Sequence, residues 1–464
     1  MANSTTKSNN KLFLWALTSA LAGFLFGFDT VVISGAEITI QALWGLSPSL
    51  HGVAMSSALW GTVLGALIGG WPTDRFGRVK TLIMIGFLYF ISALWSALAH
   101  DPYTFIIARF IGGLAIGVST IAVPLYISEI SPANKRGRLT GLFQFNVVFG
   151  ILIAFISNAL LANIGEDAWR WMLGVQVLPA TIYCLLCFYL PESPRWLIGK
   201  CNRVSEGRKV LGIINPNMSA DMINKMSDNL IDAASVTGIR TPFWSNRLKY
   251  PIFLAFFIAF FNQLSGINAI LYFAPRIFEM TGLGAHAALL QSAGIGVTNL
   301  IGTFIGLWLI DRIGRRMLLY IGSFGYIVAL GTCSWAFANN IYSIVPFCIF
   351  LFIAAHAIGQ GTVIWVFISE IFPIEHRTEG QTLGASVHWV CAALLTLVFP
   401  AIITTFPPSY VFGFFCVMMV LQLIWVFTIV PETKGISLEE IQKKLGTTPS
   451  TALQDKSRSS IDMS

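Results

Sequence analysis

Three side-chain amides, Asn262, Gln263 and Asn268, stand in one apolar run with Ser265 and Gly266 between them. The run begins near Pro251 and is long enough to span a bilayer. Hydrocarbon offers an amide no partner, so these groups must face protein, water or a ligand. In a straight helix, at about 100° per residue, Asn268 would point roughly 140° away from Gln263, and one face could not hold all three. Ser265 and Gly266 allow the helix to unwind there, and a broken helix can bare polar groups near the midplane as a binding site. Gluing neighbouring helices together is the alternative use for such amides. A second costly pair is Asp29, in the first apolar run, and Arg109, in the fourth. An Asp beside an Arg stays ionised; an Asp that loses its Arg and is desolvated takes a proton. That chemistry is protonation tied to conformation, with a permanent structural ion pair as the alternative.

The elements that hold these groups are membrane spans. The chain has 464 residues, 55% hydrophobic and 11% charged, with a mean hydropathy of +0.72. A soluble protein would carry about 25% charged residues. Apolar runs of spanning length begin near residues 12, 51, 81, 104, 139, 170, 251, 287, 317, 344, 380 and 409. The expected fold class is therefore an all-α membrane protein of twelve transmembrane helices. All but three of the 29 Lys and Arg fall on the side that includes both termini; the exceptions are Arg170, Arg276 and the intramembrane Arg109. That asymmetry predicts cytoplasmic termini and explains the net charge of +7 without nucleic acid. The seven Cys are scattered, and Cys184 and Cys187 lie inside a span, where they read as packing residues. The first run continues past Ala20-Leu21-Ala22 to Gly35, so it reads as an uncleaved first helix rather than a signal peptide.

The chain repeats itself at an offset of about 240 residues. Asp74-Arg75-Phe76-Gly77-Arg78 matches Asp311-Arg312-Ile313-Gly314-Arg315. Glu129 followed by Arg136 matches Glu370 followed by Arg377, and Pro191-Glu192-Ser193-Pro194-Arg195 is echoed by Pro431-Glu432-Thr433-Lys434-Gly435. The expected organisation is a six-helix bundle over 1–195, a polar linker with short helices over 196–249, a second six-helix bundle over 250–435, and a tail over 436–464. Ser437 reads as the cap of a short helix in that tail, ahead of a disordered end. The charges can form networks across helix ends, although a solvated rim that merely orients the protein is the plainer reading. No Gly-Lys-Ser/Thr ending follows the glycines, so they form no phosphate loop.

These motifs, in this order, resemble the sugar porter family of the major facilitator superfamily, most of all its bacterial proton-coupled sugar symporters. The resemblance rests on Asp74 to Arg78, Pro191 to Trp196, Gln263-Leu264-Ser265-Gly266-Ile267-Asn268, and Pro431 to Gly435. It implies two pseudo-symmetric bundles rocking about a central site, carrying a monosaccharide with a proton across the inner (plasma) membrane, most simply as a monomer. No enzymatic activity, cofactor or metal is expected. It implies sugar contacts from Gln144, Asn262, Gln263, Asn268, Asn299, Trp365, His388 and Trp389, with Phe26 and Tyr272 lining or closing the site. Amides suit a neutral polyol because they donate and accept without a net charge, and an indole offers a flat apolar face. It also implies proton coupling through Asp29 and Arg109. It further implies a cytoplasmic latch made by Asp74, Arg75, Arg78, Glu129, Arg136, Glu192, Arg195, Asp311, Arg312, Arg315, Glu370, Arg377 and Glu432. Three departures bear on which sugar is bound: Asn262 stands where the family has Gln, His388 stands where it has an amide, and Gly359-Gln360-Gly361 replaces a proline-rich run. A facilitative uniporter, a cyclitol carrier and a membrane sugar sensor are the alternatives. His356 has no partner visible in the sequence and reads as a buried, hydrogen-bonded His.

Overall fold

A computed structural model describes residues 2–132, 135–216, 218–235, 242–436 and 438–446. Among them no strand occurs, and twelve helical segments are long and apolar enough to cross a bilayer. The first six are α1 (Asn10–Gly35), α2 (Pro48–Ile68), α3 (Arg78–Leu98), α4 (Pro102–Ile130), α5 (Arg136–Leu161) and α6 (Ala168–Cys187). The second six are α7 (Asn246–Tyr272), α8 (Ala285–Ile313), α9 (Arg315–Ala338), α10 (Tyr342–Ile371), α11 (Arg377–Thr405) and α12 (Pro408–Thr428). Each begins within a few residues of the expected start. The starts have local causes. Ser47 accepts from Leu50 N–H ahead of Pro48, and Asp101 accepts from Tyr103 and Thr104 N–H ahead of Pro102.

Between α6 and α7 lie the short amphipathic helices Val204–Ile214 and Ala220–Ser235. A helix at Leu438–Lys444 follows α12; Ser437, its expected cap, and the expected disordered end from 447 onward lie outside the described residues.

Within the first six helices, α2 packs on α4 and α1 on α5; within the second six, α9 packs on α12 and α7 on α11. The two sets meet along α2–α11 and α5–α8. The α2–α11 seam is close enough that a Cβ on Gly52 would lie 1.9 Å from the Leu397 carbonyl oxygen. Gly52 sits near the start of α2 and Leu397 near the end of α11. Both are on the side away from the repeated charge motifs, called here the far side.

Two helices are broken. α10 stops at Ile358 and restarts at Gln360, where Gly359 lies against Gly322 of α9. α7 stops at Leu264 and restarts at Ile267, with Gly266 at φ +88°. A side chain on Gly266 would be strained by that φ and would meet the Phe415 ring at 2.7 Å. Gly266→Ala should therefore cost about 2–4 kcal/mol, the sum of backbone strain and overpacking. The expected outcome is a melting temperature lowered by several degrees in detergent and loss of uptake; an unchanged melting curve would show that the break needs no glycine.

Candidate functional site

The break in α7 does what a straight helix could not. Asn268 Nδ2 donates to Gln263 Oε1 at 2.6 Å, and Gln263 Nε2 donates to Asn262 Oδ1 at 3.0 Å. All three amides are buried. The Gln263 Nε2 also lies 3.1 Å from both ring nitrogens of His388 on α11. Donation there needs an unprotonated ring nitrogen, so His388 is neutral in this arrangement. An aromatic wall continues from it: His388 to Trp365 at 5.3 Å between ring centroids, His388 to Trp389 at 4.7 Å, and Trp389 to Phe26 of α1 at 5.6 Å. Phe26 belongs to the first bundle and the rest to the second, so the wall crosses between them.

Not every expected member joins this cluster. Gln144 on α5 is half-buried and Asn299 on α8 is buried, and neither has a hydrogen bond to the amides. Tyr272 is fully buried and its hydroxyl has no hydrogen-bond partner among the described residues. It lies within electrostatic reach of Asp29 and Arg109, beside the charge pair rather than on the amides.

That pair is made as expected. Arg109 donates Nη1 to Asp29 Oδ1 and Nη2 to the Asp29 carbonyl, both at 2.8 Å, with both side chains buried. Asp29 Oδ2 is buried without a hydrogen bond among the described residues. Both residues belong to the first bundle. Rigid rocking of one bundle against the other therefore keeps them together. From the opposite bundle, α7 comes within electrostatic reach of the pair through Tyr272.

The repeated motifs build the same cage twice. Arg78 holds Glu129 with two bonds of 2.9 Å and Asp74 with one of 3.2 Å. Arg315 holds Glu370 with bonds of 3.1 and 2.7 Å and Asp311 with one of 3.0 Å. Glu192 accepts from the backbone N–H of Arg78, Val79 and Ser193. Glu432 accepts from those of Arg315, Arg316, Thr433 and Lys434. A carboxylate at a helix N-terminus meets both the free N–H groups and the positive end of the dipole. Gly77 and Gly314, at φ +97° and +95°, leave the space: a Cβ on either would sit 2.5 Å from the Glu oxygen. Burial pushes the Glu192 carboxyl above its ordinary range, while the backbone donors pull it back down.

Each of these pairs stays inside one bundle, so none joins the bundles as a latch would. Arg136 reaches the Ser128 carbonyl and Arg312 lies over the Trp308 ring at 3.9 Å. Arg75, Arg195 and Arg377 enter none of the cages.

Sequence reasoning missed three partnerships, each joining residues far apart in the chain. The Asn262 amide continues through Gln360, Gln422 and Ser323, with the two inner bonds at 2.9 and 2.8 Å. His356 is hydrogen-bonded as expected, and the partner that the sequence did not show is Tyr326, whose hydroxyl lies 2.6 Å from its Nδ1. On the far side, Arg276 of the second bundle is paired with Glu37 of the first. The only signal for that pair was an acid just past the first apolar run and a rare far-side cation.

A membrane carrier of two repeated six-helix bundles is the class that fold, duplication and central polar cluster define. The profile of the family described as sugar (and other) transporter matches residues 15–445. The chain belongs to that family. It is 36% identical to the arabinose-proton symporter of Bacillus subtilis, over 94% of this chain and 96% of the relative. It is 30% identical to the D-xylose-proton symporter of Escherichia coli, over 94% and 96%. Among solved structures it resembles the inward open conformation of the E. coli xylose transporter, with a TM-score of 0.82 and 29% identity, covering 93% of this chain and 99% of that one. The E. coli proton:xylose symporter bound to 6-bromo-6-deoxy-D-glucose matches with a TM-score of 0.77 and 29% identity, over 94% and 100%. The shared fold is that of the major facilitator superfamily.

The cages separate supporting charges from rim charges. Arg78→Ala strands the buried Glu129 and should destabilise the protein by about 3–5 kcal/mol. Arg136→Ala, at an exposed site, should stay within about 0.5 kcal/mol of the parent. Thermal unfolding of the detergent-purified variants, compared side by side, distinguishes the two; equal losses would refute the assignment.

Proposed function

We propose that the chain carries a monosaccharide together with a proton across the plasma membrane, by alternating access, as a monomer with both termini in the cytoplasm. The observation that carries this is the broken α7. It gathers three amides and His388 beside an aromatic wall that crosses the junction of the two bundles through Phe26. Amide groups that bond one another can exchange those bonds for sugar hydroxyls at little net cost, because both donor and acceptor remain satisfied. Trp389 and Trp365 take the apolar C–H face of the ring. Gln144 and Asn299 approach from α5 and α8 when the bundles close on the cargo. No bond in the cargo is made or broken, so the cycle is transport and not catalysis.

The arrangement fits the inward-facing half of that cycle. The bundles meet on the far side, and a proton:sugar symporter solved in its inward open state is a close structural match. Asp29 takes the proton on Oδ2, the oxygen that Arg109 leaves free. Because Asp29 and Arg109 share a bundle, the coupling runs through α7: movement of Tyr272 with the sugar-bound amides changes the field on the pair. The cages hold the cytoplasmic helix ends of each bundle together as it rocks.

Asp29→Asn should still exchange labelled sugar across proteoliposomes but lose uphill accumulation under an imposed pH gradient; accumulation retained in that variant would rule out Asp29 as the coupling group. Gln263→Leu should raise the sugar KM by about ten- to a hundredfold, the worth of one or two hydroxyl bonds in a buried site. The comparison is initial uptake at matched protein levels over a panel of pentoses and hexoses.

A further inference from the structure

The far side holds a second buried carboxylate. Glu37, in the short helix Glu37–Leu43 that follows α1, is fully buried. Arg276, in helix Ala274–Glu279 just past α7, donates Nε to its Oε1 and Nη2 to its Oε2, both at 2.8 Å. The same Nη2 reaches Gln41 Oε1 at 2.6 Å. From α2, His51 places Nε2 2.9 Å from Glu37 Oε2. The His51 ring is fully buried, and its Nδ1 has no hydrogen-bond partner among the described residues. Glu279 lies within electrostatic reach of Glu37 but makes no ion pair with Arg276, and it travels with Arg276 on the same helix. Arg276, Glu279 and His51 are the charged or titratable groups that the structure sets against Glu37.

The ownership of these groups decides what they do. Glu37 and His51 belong to the first bundle and Arg276 to the second, so opening the far side must withdraw the arginine. While Arg276 is present, its charge cancels that of Glu37, and Arg276 Nη2 and His51 Nε2 share the Oε2 oxygen. Once Arg276 leaves, Glu37 is left with His51 alone. A proton taken up on His51 would then restore the balance of charge that Arg276 supplied. Re-entry of Arg276 would then set two cations on one carboxylate.

We propose that Glu37 and His51 form a proton-binding site for which a proton and Arg276 compete, so that acid on the far side favours its opening. The sign follows from linkage. The open state binds one more proton than the closed state, so the open fraction rises as pH falls and declines as it rises. One proton limits the change to about tenfold in the open-to-closed ratio per pH unit. The site is distinct from Asp29, which lies with Arg109 in the membrane interior. On the orientation proposed above the far side is the exterior, so the carrier would turn outward when the outside is acidic and protons are available to load.

The test uses the full chain in lipid nanodiscs, with non-cysteine spin labels at the exposed far-side residues Leu160 and Tyr410, one on each bundle. Inter-label distances are measured between about pH 8 and 5, across the range where His titrates. The wild type should gain a long-distance population as pH falls. The response should persist in Asp29→Asn, where the central carboxylate no longer contributes. His51→Gln should stay closed and insensitive to pH; if it fails to assemble, Glu37→Gln carries the same expectation of pH-insensitivity. Arg276→Gln should be open throughout, and Arg276→Lys should restore closure. The proposal is overturned if His51→Gln titrates like the wild type, or if the wild-type response vanishes in Asp29→Asn.

Discussion

Hydrocarbon gives a polar group no partner, and most of what is specific in this molecule follows from that constraint. Every buried amide or charge must find another polar group inside the protein. The chain solves this by clustering such groups at helix breaks and at bundle seams. The α7 break brings Asn268 back onto Gln263, and the chain of amides runs on through Gln360 and Gln422 to Ser323. Each amide in that series donates to the next, so its sense is set from one end to the other. A network of this kind holds its members in one orientation.

The duplication of the charge cages reflects the same economy of partners. A tight turn between consecutive spans leaves the N-terminus of the second helix with unsatisfied N–H groups. In both halves a glycine with positive φ makes the turn, and a glutamate more than a hundred residues away fills the space that the glycine leaves. The arginine that opens the helix then ties a third element to the turn. Because each cage ties elements of a single bundle, its first effect is to make that bundle move as one body. Rigid bodies of this kind are what rocking between two access states requires.

Much of this was legible in the sequence. The twelve spans could be read because a spanning helix leaves a long apolar run, and the two halves because the charged loops between spans repeat. The α7 break was legible from Ser265 and Gly266 between three amides, and the Asp29–Arg109 pair from the cost of charge in the bilayer. What remained hidden were pairings set by the packing of distant elements. His356 finds Tyr326 on a neighbouring helix, and Gln360 finds Gln422, because α10 breaks against α9 at Gly359. Nothing in the linear pattern says which helices touch. Asp29 and Arg109 could be placed in one bundle from their positions alone; what stayed hidden is that α7 of the opposite bundle brings Tyr272 within electrostatic reach of them.

That last point changes how conformation and protonation can be linked. An ion pair inside one rigid body is insensitive to the motion of that body and responds only to a group that arrives from the other. Tyr272 is such a group, and its effect on Asp29 is indirect. The Glu37–Arg276 pair has the opposite character: it joins the two bundles, so the motion that opens the far side is the motion that breaks it. A breaking pair leaves one partner behind with whatever else it touches, and here that is His51. The interior pair is therefore indifferent to rocking itself. The rim pair is built so that its own rupture changes what a neighbouring imidazole will bind.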